Sequence, residues 1–375
     1  MNAGSRSSAA TIDLDDVNGL LDADRDGLLR AASMAGAQVR ATAAAVDEGE
    51  LDALKSDQPP RTVIWVAGRG NAESAGALLA ALLGGSTAAP IVEASEAPPW
   101  IGALDVLIVA GDDPGDPTLV AAAATGVRRG ARVVVVAPYE GPLRDATAGR
   151  SVALAPRVWV RDDFGLVRYL AAGLGVLQMV DPGARVDLAA LADELDAEAF
   201  RNSAARELFT NPAKSLAERM SGRDVVLAGD NAATLTLARH AAAVLLRVGH
   251  QPVAAVGLGD VMAALRSGMA ASTSGADRGQ SIFHDEQIDG PLPRRVRTFV
   301  VTTGDERPVV AARVSGFDDV DVINADDVPE TMDAMDGADG SLTAATPVTG
   351  RPEQQLAMLA VRLEMTAVYL RLVRG

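Results

Sequence analysis

The fold of this chain is decided by residues 62–71, which are TVIWVAGRGN. The first six residues are apolar or β-branched, a composition typical of a buried strand in a parallel sheet. Gly68 and Gly70 follow at once and favour a tight turn. Residues 71–83 are then rich in Ala and Leu and stop at a pair of glycines, which predicts a helix. The stretch therefore predicts the strand, turn and helix that open an α/β domain.

The same alternation extends on both sides of this stretch. Short apolar runs predict three more strands, at residues 89–93, 105–110 and 131–137. Apolar residues at helical spacing predict helices at residues 14–46, 117–127 and 164–180. Strands that alternate with helices through short connections are typical of a doubly wound parallel sheet.

The second half of the chain repeats the opening pattern. Residues 223–228, RDVVLA, predict a strand that ends at Gly229, and an Ala/Leu-rich helix follows at 232–248. Further strands are predicted at 251–256, 295–301 and 319–324, and further helices at 188–220 and 353–373. We therefore predict an α/β fold with two doubly wound parallel-sheet domains in tandem. Their bounds are residues 13–182 and 183–375, divided near Pro182, after a disordered tail at residues 1–12.

Composition narrows the classes of function. A chain of 375 residues is long enough for two domains with apolar cores. The net charge of −16 argues against nucleic acid and anionic membranes as partners, because both attract clustered Lys and Arg. The absence of cysteine excludes thiol catalysis, disulfides and cysteine-ligated metals. No apolar run of about 18 residues and no secretory signal is visible, so we expect a cytoplasmic protein without a membrane span.

The turn after the first strand is the first candidate site. The carboxyl end of a parallel strand and the N-terminus of the next helix together form a site for anions. The residues predicted to bind a substrate there are Gly68, Arg69, Gly70 and Asn71. An NAD site is an alternative, with Glu93 as the ribose-binding acid, but the third glycine of G-x-G-x-x-G is displaced to Gly76. A turn required only for packing is the other alternative.

Two acidic stretches are weaker candidates. Residues 22–27 imitate a calcium loop, but the twelfth position, which should be a bidentate Glu, is Ser33. We therefore expect a capped, acidic helix start and no metal site.

Residues 111–116, GDDPGD, follow the third predicted strand, where a ligand should be contacted. Three carboxylates repel phosphate, so this loop binds a metal or an amine or is solvated, and we favour solvation.

The chain has three histidines. His240 lies within an Ala/Leu helix and is predicted to be structural, and His250 lies in a turn before a strand. His284 is followed by Asp285 and Glu286, and a histidine beside carboxylates can have its pKa tuned for proton transfer. A histidine on a surface loop is the alternative interpretation.

These segments together resemble the bifunctional phosphoglucose/phosphomannose isomerase family of sugar-isomerase (SIS) domains, and within it the actinobacterial TobH-like branch. Gly68 and Gly70 match the family's first turn. Residues 211–214, NPAK, resemble the start of its second domain, and residues 356–372 resemble its last helix. The segment of His284 and Glu286 is similar to the family's functional N-H-N-E segment.

The resemblance implies two SIS-type domains, a homodimer, no cofactor, and an aldose–ketose isomerase acting on glucose 6-phosphate or mannose 6-phosphate. It implies that His284 opens the sugar ring and that Glu286 is the base. Phosphate contacts are implied at Ser272, Thr273 and Ser274, besides the first turn. The chain departs from the family at residues 111–116, where the phosphate-binding hydroxyls are replaced, and at Gln280 and Ser281, where the family's Glu is absent. We therefore expect a degenerate site, and keep a non-catalytic phosphosugar- or partner-binding regulator as an alternative.

Overall fold

A computed structural model describes residues 12–56, 58–267, 269, 296–327 and 351–374. Five candidate residues lie outside the described residues: Ser272, Thr273, Ser274, His284 and Glu286. The tail predicted at residues 1–12 also lies outside them, apart from Ile12, whose amide donates to the carbonyl of Val373 at 3.4 Å.

The first sheet is parallel throughout. Its strands in the described chain are β1 (Thr62–Ala67), β2 (Ile91–Ala94), β3 (Asp105–Ala110), β4 (Arg132–Val136) and β5 (Ser151–Ala153). Their order is β2-β1-β3-β4-β5, with β1 between β2 and β3. Because the order reverses between β1 and β3, the carboxyl ends of these two strands flank the crevice where such sheets bind ligands.

The helices of this half are α1 (Val17–Ala23), α2 (Leu28–Ala32), α3 (Ala35–Asp47), α4 (Asn71–Leu83), α5 (Pro117–Arg129), α6 (Gly141–Thr147), α7 (Leu166–Val180) and α8 (Leu188–Arg201). The single helix predicted over residues 14–46 is wrong, since the chain forms α1, α2 and α3 there. Gly27 adopts a left-handed φ of 66° and Asp24 accepts from the amides of Leu28 and Leu29 at 2.7 and 2.9 Å. The Asp24 carboxylate thus caps a new helix, as expected for the acidic stretch.

The second sheet repeats the topology of the first. Its described strands are β6 (Asp224–Gly229), β7 (Val253–Gly257), β8 (Val296–Val301) and β9 (Val320–Ile323). The helices are α9 (Pro212–Met220), α10 (Ala232–Arg247), α11 (Leu258–Arg266), α12 (Arg307–Val314) and α13 (Pro352–Arg374). The order β7-β6-β8-β9 corresponds to that of the first four strands of the first sheet, and all pairs are parallel. The predicted fold class, two doubly wound parallel sheets, is confirmed.

One hydrophobic core lies between the sheets and joins both halves. It includes residues from one face of each sheet and from α3, α4, α7, α8, α9, α10 and α13. The opposite faces have smaller cores of their own, under α5 and α6 in the first half and under α11 and α12 in the second. Helix α8, which the predicted boundary assigns to the second half, packs against both α3 and α13. The domain division stays a prediction.

Helix α13 passes through the shared core. Its leucines at helical spacing form one apolar stripe, but burial extends to the other faces of the helix as well. The stripe residues Leu356, Leu359, Leu363 and Leu370 are at most 2% exposed, and polar residues such as Glu364 and Thr366 are equally buried. The helix is therefore covered by its own chain. Within the described part of the chain, no helix is long and apolar enough to cross a membrane.

Candidate functional site

The predicted turn lies at the crevice between β1 and β3. The Gly68 amide donates to the carbonyl of Ala110 at 2.7 Å, and a Cβ on Gly68 would lie 3.6 Å from the Cα of Gly111. Gly70, with a φ of 86°, leads into α4, and none of the described side chains caps this helix start. The glycines therefore let the backbone enter α4 with its first N–H groups available to an acceptor.

A cleft opens beside this turn, with an empty volume of about 860 Å³ that includes the solvent at its mouth. It is lined by the turn after β1, the start of α4, β2 and the start of α5, and the lining residues include Gly68, Arg69, Glu73, Glu93, Asp116 and Thr118. Arg69 is exposed and forms no ion pair within the described residues. The cleft thus combines one unpaired guanidinium with three carboxylates.

Glu93 of β2 is the register partner of Trp65 in β1 and belongs to the wall of the cleft. Its pKa is raised above the ordinary value, first by partial burial of the carboxylate and then by the negative charge of Glu73. A carboxyl group with a raised pKa is able to exchange a proton closer to neutral pH than an ordinary glutamate does. Glu93 is therefore a candidate for proton transfer, a role that the sequence analysis did not assign to it.

The acidic loop after β3 is bonded to the protein, so the expectation that it is merely solvated is wrong. Arg168 Nη2 donates to Asp112 Oδ1 at 2.6 Å, and the hydroxyl of Tyr169 donates to the same oxygen. Asp116 caps α5 by accepting from the Thr118 amide at 2.8 Å. Because a carboxylate already occupies the N-terminus of α5, this loop offers no free donor group for phosphate there.

The four residues predicted at the first turn have separate roles. Gly68 and Arg69 line the cleft, whereas Gly70 shapes the start of α4. Asn71 is 4% exposed and donates through Nδ2 to the carbonyl of Asp162, so it holds the segment before α7. Arg247 of α10 approaches from the other half, with Nη1 3.8 Å from the position that a Cβ on Gly70 would take. No local sequence pattern indicates this long-range neighbour.

The turn between β6 and α10 corresponds, in the second sheet, to the turn at Gly68. Side chains of the chain itself occupy it. Asn231 caps α10 by accepting from the Thr234 amide at 2.9 Å. The Nδ2 group of Asn231 donates to both carboxylate oxygens of Glu306, at 2.7 and 2.8 Å, and the hydroxyl of Thr303 donates to Glu306 at 3.2 Å. A carboxylate thus lies beside the α10 N-terminus, where an anionic ligand would otherwise be placed.

The two described histidines lie away from the cleft. His240 is 3.1 Å from Glu364, and both side chains are buried between α10 and α13, in agreement with a structural role. Burial raises the pKa of Glu364, and the nearby His240 offsets part of that effect. His250 is exposed and accepts a hydrogen bond from Arg371 at 2.7 Å.

Acidic side chains do not gather into a metal site in the part of the chain that the structure describes. There, no group of three or more His, Cys, Asp or Glu side chains is placed to hold a metal ion. In the calcium-like stretch, both oxygens of Asp24 already accept from backbone amides.

The architecture is shared with solved structures of sugar-phosphate proteins. Tagatose-6-phosphate ketose/aldose isomerase from Escherichia coli has 12% sequence identity and a TM-score of 0.55, over 98% of this chain and 94% of that chain. The C-terminal domain of glucosamine-fructose-6-phosphate aminotransferase from Francisella tularensis has 10% identity and a TM-score of 0.56, over 95% and 96%. A glucose-6-phosphate isomerase-like protein from Thermus thermophilus has 17% identity and a TM-score of 0.50, over 97% and 94%.

At these identities the similarity establishes the fold alone. No protein-family model matches the chain, and no curated protein matches it.

Proposed function

We propose that this chain binds a phosphorylated sugar in the cleft at the ends of β1 and β2 and isomerises it very slowly or not at all. The observation that carries the proposal is the unpaired Arg69 beside the uncapped start of α4. A guanidinium next to free backbone N–H groups is suited to a phosphate oxygen. The space in the cleft that a water-sized group can enter is about 370 Å³, within the size range of small-molecule sites.

The carboxylates of the cleft suit the sugar rather than the phosphate. Glu73, Glu93 and Asp116 accept hydrogen bonds, and sugar hydroxyls donate them. Their negative charge opposes a phosphate group at close range, so the phosphate belongs on the side of Arg69. The same charge should lower the affinity for the phosphate group.

The finer assignment rests on the sequence resemblance and is part of the proposal. It comprises the phosphoglucose/phosphomannose isomerase family with its TobH-like branch, a cytoplasmic homodimer, and domains at residues 13–182 and 183–375. It also comprises catalytic roles for His284 and Glu286 and phosphate contacts from Ser272, Thr273 and Ser274. A non-catalytic regulator that binds a phosphosugar or a partner enzyme uses the same cleft, and carboxylates at the α5 and α10 N-termini favour it.

An NAD-binding protein is the second candidate. Glu93 lies near the carboxyl end of β2 and lines the same cleft as the Gly68 turn, which is where the ribose-binding acid of a dinucleotide site lies. Glu73, however, stands at the third glycine position of G-x-G-x-x-G counted from Gly68 and Gly70. A carboxylate there faces the place of the pyrophosphate and disfavours the dinucleotide.

Calorimetric titration of the full chain tests the proposal. Mannose 6-phosphate, glucose 6-phosphate, mannose and NAD are titrated into the wild type, Arg69→Met, Glu73→Gln and the control Arg30→Met, an exposed arginine on α2. We expect a sugar phosphate to bind, Arg69→Met to weaken it about tenfold or more, and Glu73→Gln to tighten it. Unchanged affinity in Arg69→Met overturns the site, and tight binding of NAD alone supports the second candidate.

A further inference from the structure

The amino-terminal edge of the first sheet has a row of arginines. Because this sheet is parallel, the first residues of β1, β3, β4 and β5 lie at the same edge. Arginines stand at or next to the first residue of β1, β4 and β5, and the last turn of α5, which returns the chain to this edge, adds two more. The five are Arg61, Arg128, Arg129, Arg132 and Arg150. A chain with a net charge of −16 thus has a basic surface here.

The loop before β3 connects the arginine at β1 with those of α5. The amide of Arg61 donates to the carbonyl of Leu104 at 2.8 Å. A Cβ on Gly130, which directly follows α5, would lie 3.9 Å from the Cβ of Ala103 in the same loop. The parallel pairing of β3 with β4 and of β4 with β5 extends the row to the edge strand of the sheet. The arginines therefore belong to one continuous surface.

Most of this positive charge is not neutralised within the described chain. Arg61 is the exception, since it forms an ion pair with the buried Asp105 at 2.5 Å. Arg128, Arg129 and Arg150 are exposed, and none of the described carboxylates forms an ion pair with them. Arginines in the last turn of a helix interact favourably with its dipole, but that role leaves their guanidinium groups in solvent. Arg150 lies outside any helix, so the dipole does not account for it.

Two large apolar side chains are exposed within the same surface. Trp100 is 49% exposed and Leu104 is 60% exposed. The guanidinium carbon of Arg61 lies 5.5 Å from the centroid of the Trp100 ring, and Arg61 Nη2 donates to the Trp100 carbonyl at 3.1 Å. Tryptophan and arginine are the side chains that most often dominate the binding energy of protein interfaces. The edge therefore combines apolar anchors with unpaired positive charge.

Charge determines which partner fits this surface. Two copies of the chain that met symmetrically at this edge would place arginines against arginines, which disfavours a dimer here. Nucleic acid has one negative charge per about 1.7 Å, so a chain with a net charge of −16 repels it along its whole length. A short acidic protein segment has few charges, and an aliphatic side chain within it matches Leu104 and Trp100.

We propose that the amino-terminal edge of the first sheet is a docking surface for a short acidic segment of another protein, with aliphatic side chains between its carboxylates. Neighbouring strands are about 4.8 Å apart, so the row from β1 to β5 is about 14 Å wide, which about five extended residues cover. So small an interface is typical of transient complexes. The cleft with Arg69 lies at the opposite edge of the sheet, so the inference does not depend on sugar binding.

Fluorescence anisotropy with the full chain tests the proposal, using a labelled probe peptide of six glutamates around two central leucines. We expect this peptide to bind at low salt and to be released as the salt concentration rises. Replacement of all its glutamates by glutamine, or of both leucines by alanine, should weaken binding about fivefold or more. These comparisons use the wild-type protein and are unaffected by changes in folding.

The double variant Arg128→Gln with Arg129→Gln should weaken the probe peptide about fivefold or more, and Leu104→Ala should weaken it as well. Arg30→Gln with Arg239→Gln is the matched control, because these arginines are exposed on α2 and α10 and the net charge changes equally. Its affinity should stay within about twofold of the wild type. No binding of the peptide to the wild type, equal affinities in the two double variants, or tighter binding of an oligothymidylate of equal charge overturns the proposal.

Discussion

Arg362 and Glu198 form an ion pair inside the molecule, with Arg362 Nε 2.7 Å from Glu198 Oε1 and side chains that are 2% and 0% exposed. The arginine lies on α13 and the glutamate on α8. The Nη groups of Arg362 also donate to the carbonyls of Asn324 and Ala325 at 2.8 and 2.9 Å. One side chain of α13 therefore holds both α8 and the segment that follows β9.

Loss of the Glu198 charge should destabilise the protein strongly. We expect Glu198→Gln to lower the free energy of unfolding by about 3–5 kcal/mol, because the buried Arg362 loses its countercharge. Urea denaturation at pH 7 measures the change. Asp193→Asn on the same helix is the control, since Asp193 pairs with Arg40 where the side chains are 77% and 51% exposed. That variant should lose only about 0–1 kcal/mol, and an equal loss in both variants would contradict the interpretation.

The same pair should make stability depend on acid pH. Burial alone would raise the pKa of Glu198, but attraction by Arg362 and Arg201 outweighs it, and the pKa lies below its ordinary value of 4.5. A lowered pKa means that the stabilisation is present above pH 4.5 and is lost as the pH falls through the folded-state pKa. The stability gap between wild type and Glu198→Gln should therefore narrow below pH 4.5. A gap that stays constant from pH 7 to acid would exclude this linkage.

The contact between Gly76 and Trp65 leaves no room for a side chain. A Cβ on Gly76 would lie 2.3 Å from Trp65 Cδ1, and the indole is fixed because Nε1 donates to the carbonyl of Ala72 at 2.9 Å. We expect Gly76→Ala to cost about 1–3 kcal/mol in unfolding free energy through overpacking. Gly259→Ala in α11 is the control, because a Cβ there meets no described atom within 4 Å. It should be neutral or stabilising by up to about 1 kcal/mol, so equal losses would argue against the steric cause.

The strands were predictable because a buried parallel strand is apolar along its whole length. The predicted bounds of β1 and β3 match the observed Thr62–Ala67 and Asp105–Ala110. The position of helix α13 was also predicted, since residues 353–373 agree with the observed Pro352–Arg374, but its burial was not, because charged residues of this helix are buried too. Arg362 and Glu364 find partners 164 and 124 residues away in the chain, at Glu198 and His240. A pattern of local hydropathy contains no information about such partners.

The candidate site was predictable in position but only partly in chemistry. The turn at Gly68 lies at the expected crevice, because strand order follows from the alternation of strands and helices. Asp112 was expected to be solvated, yet Arg168 and Tyr169, 56 and 57 residues further along, neutralise it and bind it. The sequence could have identified Glu73 as a site residue, because it lies in the first turn of the helix that follows the glycine turn. Its effect on the pKa of Glu93 could be recognised only from the fold, which brings the two residues together.

Removal of the Glu73 charge should lower the pKa of Glu93. Partial burial is the larger cause of the raised value and Glu73 the second, so in Glu73→Gln the pKa should fall yet stay above the ordinary 4.5. Carbon-13 NMR titration of the side-chain carboxyl measures it directly. Glu96→Gln, an exposed neighbour three residues beyond Glu93, should leave the pKa unchanged. A larger fall in Glu96→Gln than in Glu73→Gln would refute the assigned cause.

Isomerisation of glucose 6-phosphate or mannose 6-phosphate should be absent or very slow. Asp116 caps α5 and Glu306 is bound to the cap of α10, so a carboxylate already lies at each of these two helix starts. A phosphate restricted to the side of Arg69 loses the helix N-termini that would help to align the sugar, and each acid–base group that is lost typically costs about 10²–10⁴-fold in rate.

A coupled assay on both substrates tests this expectation, with the wild type beside His284→Ala and Glu286→Gln. The resemblance assigns ring opening and proton transfer to these two residues, but the family's Glu before the histidine is replaced, since the positions hold Gln280 and Ser281. If the site is degenerate, all three proteins should give the same rate as the buffer. Robust turnover in the wild type that either substitution abolishes would refute the degenerate site and establish an isomerase, because a contaminating enzyme would be insensitive to both substitutions.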